Sequence, residues 1–425
     1  MASNRDLQQA AALLRDSNAN FDLTNNHQQK DLLFLAEQLD SLSSLSVGDL
    51  KQLAIEEQAP LEYRLAVKLV ASKRYVRKIT TPLRIGVVFA MWGEHNRLNP
   101  KTEQNPNGED SLRMKVEQLS WISADSCIDW HLYPVDDGCP HDSADIAKGI
   151  VKTTEQPNKV TVLKLSEHLD TDDGPLANLH SVDDSRKGGA IVLGCQKAID
   201  EGADVVVYTD ADNSVHLGQI GLLLEPYLEQ AKQVVLGNRK HPESILVKQE
   251  ERWGIGIKTL RHMQRMIGDQ IFSQGIKDTQ AAFKLYSRDA LQVILRNPTV
   301  YDFSFDTDWI LAAMEYNKPI TTVPFAFIDS AAESASVVQG PMTTWYTLLE
   351  GLVKAARARH ASYSRDMANV FDEEIHSHKD LELLIDILPK QLAEADDKSL
   401  GDPAIMSPSE VRAWIQQARY AKASS

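Results

Sequence analysis

Between Arg84 and Tyr208 four short apolar runs alternate with stretches of helical periodicity, and this alternation leaves the chain few folds. The runs at 85–90, 130–135, 160–165 and 205–208 have the length and the β-branched and aromatic content of strands buried on both faces. Between them, Leu112, Val116, Leu119 and Ile122 mark one face of a helix, with Asp110 or Ser111 as its cap. Residues 143–151 and 190–201 read as two further helices. The resulting order, β-α-β-α-β-α-β, predicts a parallel, doubly wound α/β sheet. Such sheets bind ligands at the carboxyl ends of their strands.

Three of the predicted strand ends carry carboxylates: Glu94 after the first, Asp136 and Asp137 after the second, and Asp210 and Asp212 after the fourth. Anions gathered at one edge repel each other. A divalent cation with a preference for oxygen relieves that repulsion and keeps positions free for phosphate oxygens. A solvated acidic turn is the blander reading of Asp210-Ala211-Asp212 taken alone. Lys187-Gly188-Gly189 opens the helix before the fourth strand, where small residues, a lysine and a helix N-terminus together suit phosphate. The pattern GxxxxGK[ST] is absent, as is GxGxxG, which removes the usual fingerprints of ATPases and dinucleotide dehydrogenases.

Beyond the fourth strand, 220–228 reads as helix and 234–237 as strand, ending in Asn238-Arg239-Lys240. A basic helix carrying Arg252, Lys258, Arg261 and Arg265 follows. The segment 302–309, with Asp306 and Asp308, leads into another helix. Residues 320–327 form a strand broken by Pro324 and so placed at an edge. Residues 95–110 make a long polar loop of the kind that is functional or mobile. Both ends of the chain are helical. The run 61–75 carries Lys68, Lys73, Arg74 and Arg77 on its polar side, and 345–360 ends in Lys354, Arg357 and Arg359. Cations at the end of 345–360 suit a helix C-terminus, with a membrane-surface face as the sharper alternative, while the N-terminal helices read as a cap or oligomerisation arm.

Of the 425 residues, 45 are basic and 60 acidic, for a net charge of −15, which argues against a general nucleic-acid binder. Three cysteines without metal-ligand spacing read as free thiols of a reducing compartment. The first ten residues lack the apolar stretch of a secretory leader, and no run reaches the ~18 apolar residues of a membrane span. The expected location is cytoplasmic, with peripheral membrane contact and a homo-oligomer left open.

With these residues placed, the stretch from Arg84 to Ser330 resembles glycosyltransferase family 2, of the GT-A fold, in the branch of dolichyl-phosphate mannosyl- and glucosyltransferases. The resemblance rests on an ordered series: a first strand ending near Glu94, VDDG at 135–138, RKGGA at 186–190, DAD at 210–212, GNRK at 237–240, DTQAAFKLYSRDA at 278–290 and FSFDTDWI at 303–310. It departs at 90–94 and at Ala282, where the family has glycine. It implies a GT-A, Rossmann-like, mostly parallel sheet flanked by helices at 81–335, with a helical N-terminal extension at 1–80 and a helical C-terminal region at 336–425.

The implied activity is metal-dependent transfer of a hexose from a UDP- or GDP-linked donor to a small soluble or lipid-phosphate acceptor. Glu94, Asp136 and Asp137 would bind the nucleotide, with Glu94 and Asp136 at the base and ribose. Lys187 would lie by the diphosphate, and Asp210 at ribose or metal. Asp212 would bind Mg²⁺ or Mn²⁺, and Arg239 and Arg252 the acceptor phosphate. Asp306 or Asp308 would act as base toward an acceptor hydroxyl, with capping and first-turn charge as their bland reading. Two other readings stay in view: a sugar-phosphate nucleotidyltransferase, and a non-catalytic scaffold with a degenerate GT-A fold.

Overall fold

The computed structural model describes residues 3–169, 171–248, 254–329 and 340–423. Seven strands form one sheet: β1 (Leu83–Met91), β2 (Ile128–Asp136), β3 (Leu163–Lys164), β4 (Val205–Thr209), β5 (Val234–Gly237), β7 (Phe283–Ser287) and β8 (Ile320–Val323), in the order β3-β2-β1-β4-β7-β5-β8. The remaining two, β6 (Ile245–Val247) and β9 (Ala326–Ile328), pair in a small parallel sheet of their own.

The central run behaves as its composition requires. All five residues of β4 are buried, and β4 pairs in parallel with β1 through Ile85–Val205 and Val87–Val207. Helices on both faces cover it, as in any sheet whose strands are apolar on both sides. The expected fold class holds: a mostly parallel α/β sheet flanked by helices, with helical extensions at both ends. Two strands had no forecast, β6 and β7. β7 runs antiparallel between β4 and β5, with Leu285 opposite both Val207 and Val235. Its segment FKLYS carries a lysine at its centre, which hides it as a buried strand. Lys284 is nevertheless fully buried, held by Asp306 at 2.8 Å and by the Tyr208 hydroxyl at 2.8 Å.

Pro324 breaks the 320–327 run as expected, and β8 is an edge strand. The chain then leaves the main sheet to make β9.

The N-terminal helices α1 (Asn4–Asp16), α2 (Asn26–Ser41), α3 (Val47–Glu56) and α4 (Leu61–Val76) share one apolar cluster with Ile245, Ala326 and Ile328 of the small sheet. Lys68 and Lys73 are buried on α4 rather than on a polar side. The Lys73 ammonium lies 4.0 Å from the Trp121 ring centroid and 3.7 Å from Glu37. After β1 come α5 (His95–Leu98), α6 (Ser111–Ser123), α7 (Ser143–Val151), α8 (Gly188–Asp200), α9 (Ile220–Glu229), α10 (Ile257–Ile267), α11 (Asp269–Phe272), α12 (Arg288–Ile294) and α13 (Phe305–Glu315).

At the C-terminal end, α14 (Pro341–Ala358) buries Trp345, Leu348, Leu349, Leu352 and Val353, the predicted face. Then follow α15 (Arg365–Glu374), α16 (His378–Glu382), α17 (Lys390–Glu394) and α18 (Pro408–Ala423). Of the cations near the end of α14, Arg359 pairs with Asp308 and Glu315, and Arg357 with Asp372. Arg359 is thus turned inward, whereas the Arg357 pair lies at the surface. Among the described residues no helix is long and apolar enough to cross a membrane.

Candidate active site

A cavity of about 690 Å³ opens at the carboxyl edge of the main sheet. Its walls come from the ends of β1 (Trp92, Glu94), β2 (Asp137, Gly138), β4 (Asp210, Asp212) and β5 (Arg239, Lys240). Because β7 runs the other way, the residues before it, Asp278 to Gln280, reach the same edge. Helix α10 adds Arg261, Gln264 and Arg265, and α14 adds Thr344 and Trp345.

The strand-end carboxylates each have fixed partners. Asp212 accepts the amide of Ser214 at 3.0 Å through Oδ1, which bends the loop after β4 and aims it at the cavity. Burial pushes the Asp210 carboxyl up, but the Lys187 ammonium, ion-paired with its Oδ1, more than offsets this and holds it below the usual range. Asp137 is buried; it accepts the Ser185 hydroxyl and the Lys187 amide, and burial pushes its carboxyl up to about 7. Glu94 is also pushed up to about 7, by burial first and the neighbouring Asp212 charge, against the pull of Arg97 at 3.1 Å. Lys187 has φ of 90°, and this backbone twist lets its amide meet Asp137 while its ammonium meets Asp210.

Cations line the same cavity: Lys240, Lys248, Arg261, Arg265 and Lys277. Arg239, the predicted acceptor ligand, also lines it, but its guanidinium is engaged by Asp278 at 2.7 and 2.9 Å. Burial raises the Asp278 carboxyl, yet this bidentate pair brings it down to about 2. Lys240 was within the GNRK run and Arg261 on the basic helix. Nothing in the sequence aims Lys248 or Lys277 at the same space, and the partnership of Arg239 with Asp278 has no local signal at all. Exposed Trp92 at the mouth was likewise not singled out as a site residue.

Glu94, Asp137, Lys187, Asp210, Asp212 and Arg239 are thus brought together, and three predicted residues are not. Asp136 is buried outside the cavity lining; Oδ1 accepts the amides of Gly138 and Cys139 and Oδ2 that of Ala144, so it shapes the loop and the start of α7. Asp308 is buried and accepts Thr299 and Arg359 through both oxygens. Asp306, also buried, accepts Lys284 and the Tyr208 hydroxyl. Neither lines the cavity, and neither makes a side-chain cap bond on α13, whose N-cap is Ser304. Both carboxylates pair with buried cations, Lys284 for Asp306 and Arg359 for Asp308. Arg252 lies outside the described residues.

The helix start at Gly188-Gly189 also differs from its forecast. The Gly189 amide donates to the Tyr301 carbonyl at 3.1 Å, and a Cβ at Gly188 would stand 2.5 Å from the Tyr301 backbone. These glycines serve close packing, and Arg186 and Lys187 before them line the cavity.

Oxygen ligands of the kind a hard divalent cation takes are present in Asp210 and Asp212, both on the cavity wall. No cluster of three or more acidic, histidine or cysteine ligands occurs among the described residues. The donor set therefore fits an ion that completes its shell with ligand oxygens and water rather than one caged by protein.

Residues 116–295 match the model of the family described as glycosyl transferase family 2. An undecaprenyl-phosphate mannosyltransferase of Micrococcus luteus is 26% identical over 152 residues, 36% of this chain and 60% of that protein. A UDP-N-acetylglucosamine–dolichyl-phosphate N-acetylglucosaminyltransferase of Methanococcus voltae is 26% identical over 170 residues, 38% of this chain and 64% of that protein. The match thus spans less than two thirds of either relative. Among solved structures, glucosyl-3-phosphoglycerate synthase of M. tuberculosis aligns over 70% of this chain and 86% of its own, with a TM-score of 0.44 and 13% identity. The ordered motifs and the family match coincide on β2, β4, β5 and β7: residues 116–295, which carry most of the strands at the cavity edge, are similar to glycosyl transferase family 2.

Proposed function

We propose that the chain transfers a hexose from a UDP- or GDP-linked donor to an acceptor that carries a phosphate, with Mg²⁺ or Mn²⁺ as cofactor. One observation carries this reading: a single cavity is lined by the strand-end carboxylates with Lys187 and also by Lys240, Lys248, Arg261, Arg265 and Lys277. The donor belongs with the carboxylates. Glu94 and Asp137 would hold its base and ribose, Trp92 offers a face to the base, and Lys187 would turn from Asp210 to the diphosphate. Asp210 and Asp212 would hold the cation, which as a Lewis acid stabilises the departing nucleoside diphosphate.

The acceptor belongs with the lining cations, of which Lys240, Lys248 and Arg261 would take its phosphate. Arg239, already neutralised by Asp278, would orient rather than carry charge. An ionised phosphate needs placement and charge complementarity, whereas a hydroxyl needs a base. The commitment of Asp306 and Asp308 to buried cations therefore favours the phosphate. The names of the two relatives, with undecaprenyl-phosphate and dolichyl-phosphate in them, support the same class.

The test is release of nucleoside diphosphate from UDP- and GDP-hexoses with Mn²⁺ or Mg²⁺, with soluble sugar or glycerol phosphates in one arm and polyprenyl phosphate in vesicles in the other. One donor should respond, one arm should accelerate it, and Asp212→Ala should lower release at least ~100-fold. Release that persists in Asp212→Ala, or a chain that no nucleotide stabilises against heat, would sink the reading.

A further inference from the structure

The loop that bears Asp210 and Asp212 rests on buried charges supplied by the 95–110 segment and the first turns of α6. Lys115 of α6 is fully buried, and its ammonium donates to the carbonyl oxygen of Asp212 at 2.5 Å. Among the described residues no carboxylate lies within ion-pair distance of it. Its other near neighbour is the Phe89 ring, 5.5 Å away. Glu109 is 1% exposed and accepts the amide of Asn213 at 2.9 Å, while the Asn213 side chain donates back to the Glu109 carbonyl at 3.0 Å. Arg97 closes the set, 3.3 Å from Glu109 and 3.1 Å from Glu94. A buried lysine without a salt-bridge partner costs stability unless something fixed uses its charge. Here the field of Asp212, Glu109, Asp210 and Glu94 acts on it.

We propose that Lys115, Glu109 and Asn213 are positioning residues for the metal loop: they fix the backbone at Asp212 and Asn213 so that the Asp212 carboxylate meets a divalent cation without rearranging. This rests on the donor-side reading above. Groups one shell behind a metal ligand orient it, and their loss typically weakens the metal by about 10–100-fold.

Calorimetry of Mn²⁺ binding to the full chain at saturating UDP or GDP measures this, with nucleotide binding in EDTA and the thermal midpoint recorded alongside. Lys115→Met should weaken Mn²⁺ about 10–100-fold and leave metal-free nucleotide binding within about threefold. Asn213→Ala, which removes a smaller group and serves if Lys115→Met does not fold, should weaken Mn²⁺ roughly tenfold.

Unchanged Mn²⁺ affinity in a folded variant would assign these residues to fold stability alone and overturn the inference. So would tighter Mn²⁺ in Lys115→Met, because the ammonium would then act only as a repelling charge. If the unmodified chain binds nucleotide with no response to Mn²⁺, the functional reading falls too; if it responds and the variants match it, only this inference falls.

Discussion

Glu94 shows how one side chain sets a pH response. Burial pushes its carboxyl up to about 7, so the fold prefers it protonated. Its stabilising effect is complete below the ordinary glutamate value of 4.5 and is lost as pH rises through about 7. Asp137 acts in the same sense. His216, pushed down to about 3 by burial, acts in the opposite sense and withdraws stability as pH falls below 6.5. In urea unfolding compared at about pH 5 and about pH 8, the unmodified chain should lose at most about 3 kcal/mol through Glu94. Glu94→Gln should lose that much less, and an identical loss in both would refute the assignment.

At this scale the sequence revealed which carboxylates stand at strand ends, because that follows from the chain's own order. It did not reveal their partners. Asp306 and Asp137 look alike on paper; one faces Lys284 and Tyr208 under the sheet, and the other faces the cavity. That distinction depends on residues 22 to 98 positions away.

Elements were legible where periodicity alone defines them. β4 and β5 are short and almost wholly apolar, β1 is apolar from Ile85 on, β2 is mostly apolar from Trp130 to Val135, and α6 and α14 show clean apolar faces. The pattern fails where tertiary contacts compensate a charge, as at Lys284 in β7 or Lys73 in α4. The start of α8 shows another such effect. Its two glycines suggested a phosphate cradle, yet Gly188 is packed against the Tyr301 backbone. Gly188→Ala must push apart two main-chain segments and should cost about 1–3 kcal/mol. Urea midpoints of the variant and the unmodified chain measure it; no change would mean that the 301 segment yields freely.

At the scale of the whole molecule the helical ends are part of the core. Trp309 and Ile310 of α13 share one apolar cluster with Leu349 and Leu352 of α14 and with Met367 and Phe371 of α15. Arg359, just past α14, neutralises the buried Asp308 at 2.9 Å. Ending the chain at residue 340 would bare that cluster and strand Asp308. The lost pair alone costs about 3–5 kcal/mol, against the roughly 5–15 kcal/mol that holds a domain together. Such a truncated chain should show no cooperative thermal transition by circular dichroism. A sharp transition near that of the full chain would mean that the C-terminal helices are separable.

The placement of β7 bears on how the protein is made. β4 and β5 leave the ribosome first, each with one edge that only β7 can fill. Roughly 75 residues separate the end of β4 from the start of β7, about 4–15 s at ordinary rates of synthesis. Once β5 is made, Arg239 follows it without its partner, because Asp278 has yet to arrive. The nascent chain therefore presents one open edge on β4 and two on β5, whose other neighbour β8 is made later still, and these edges depend on chaperones or speed until Phe283–Ser287 and then Ile320–Val323 pair with them.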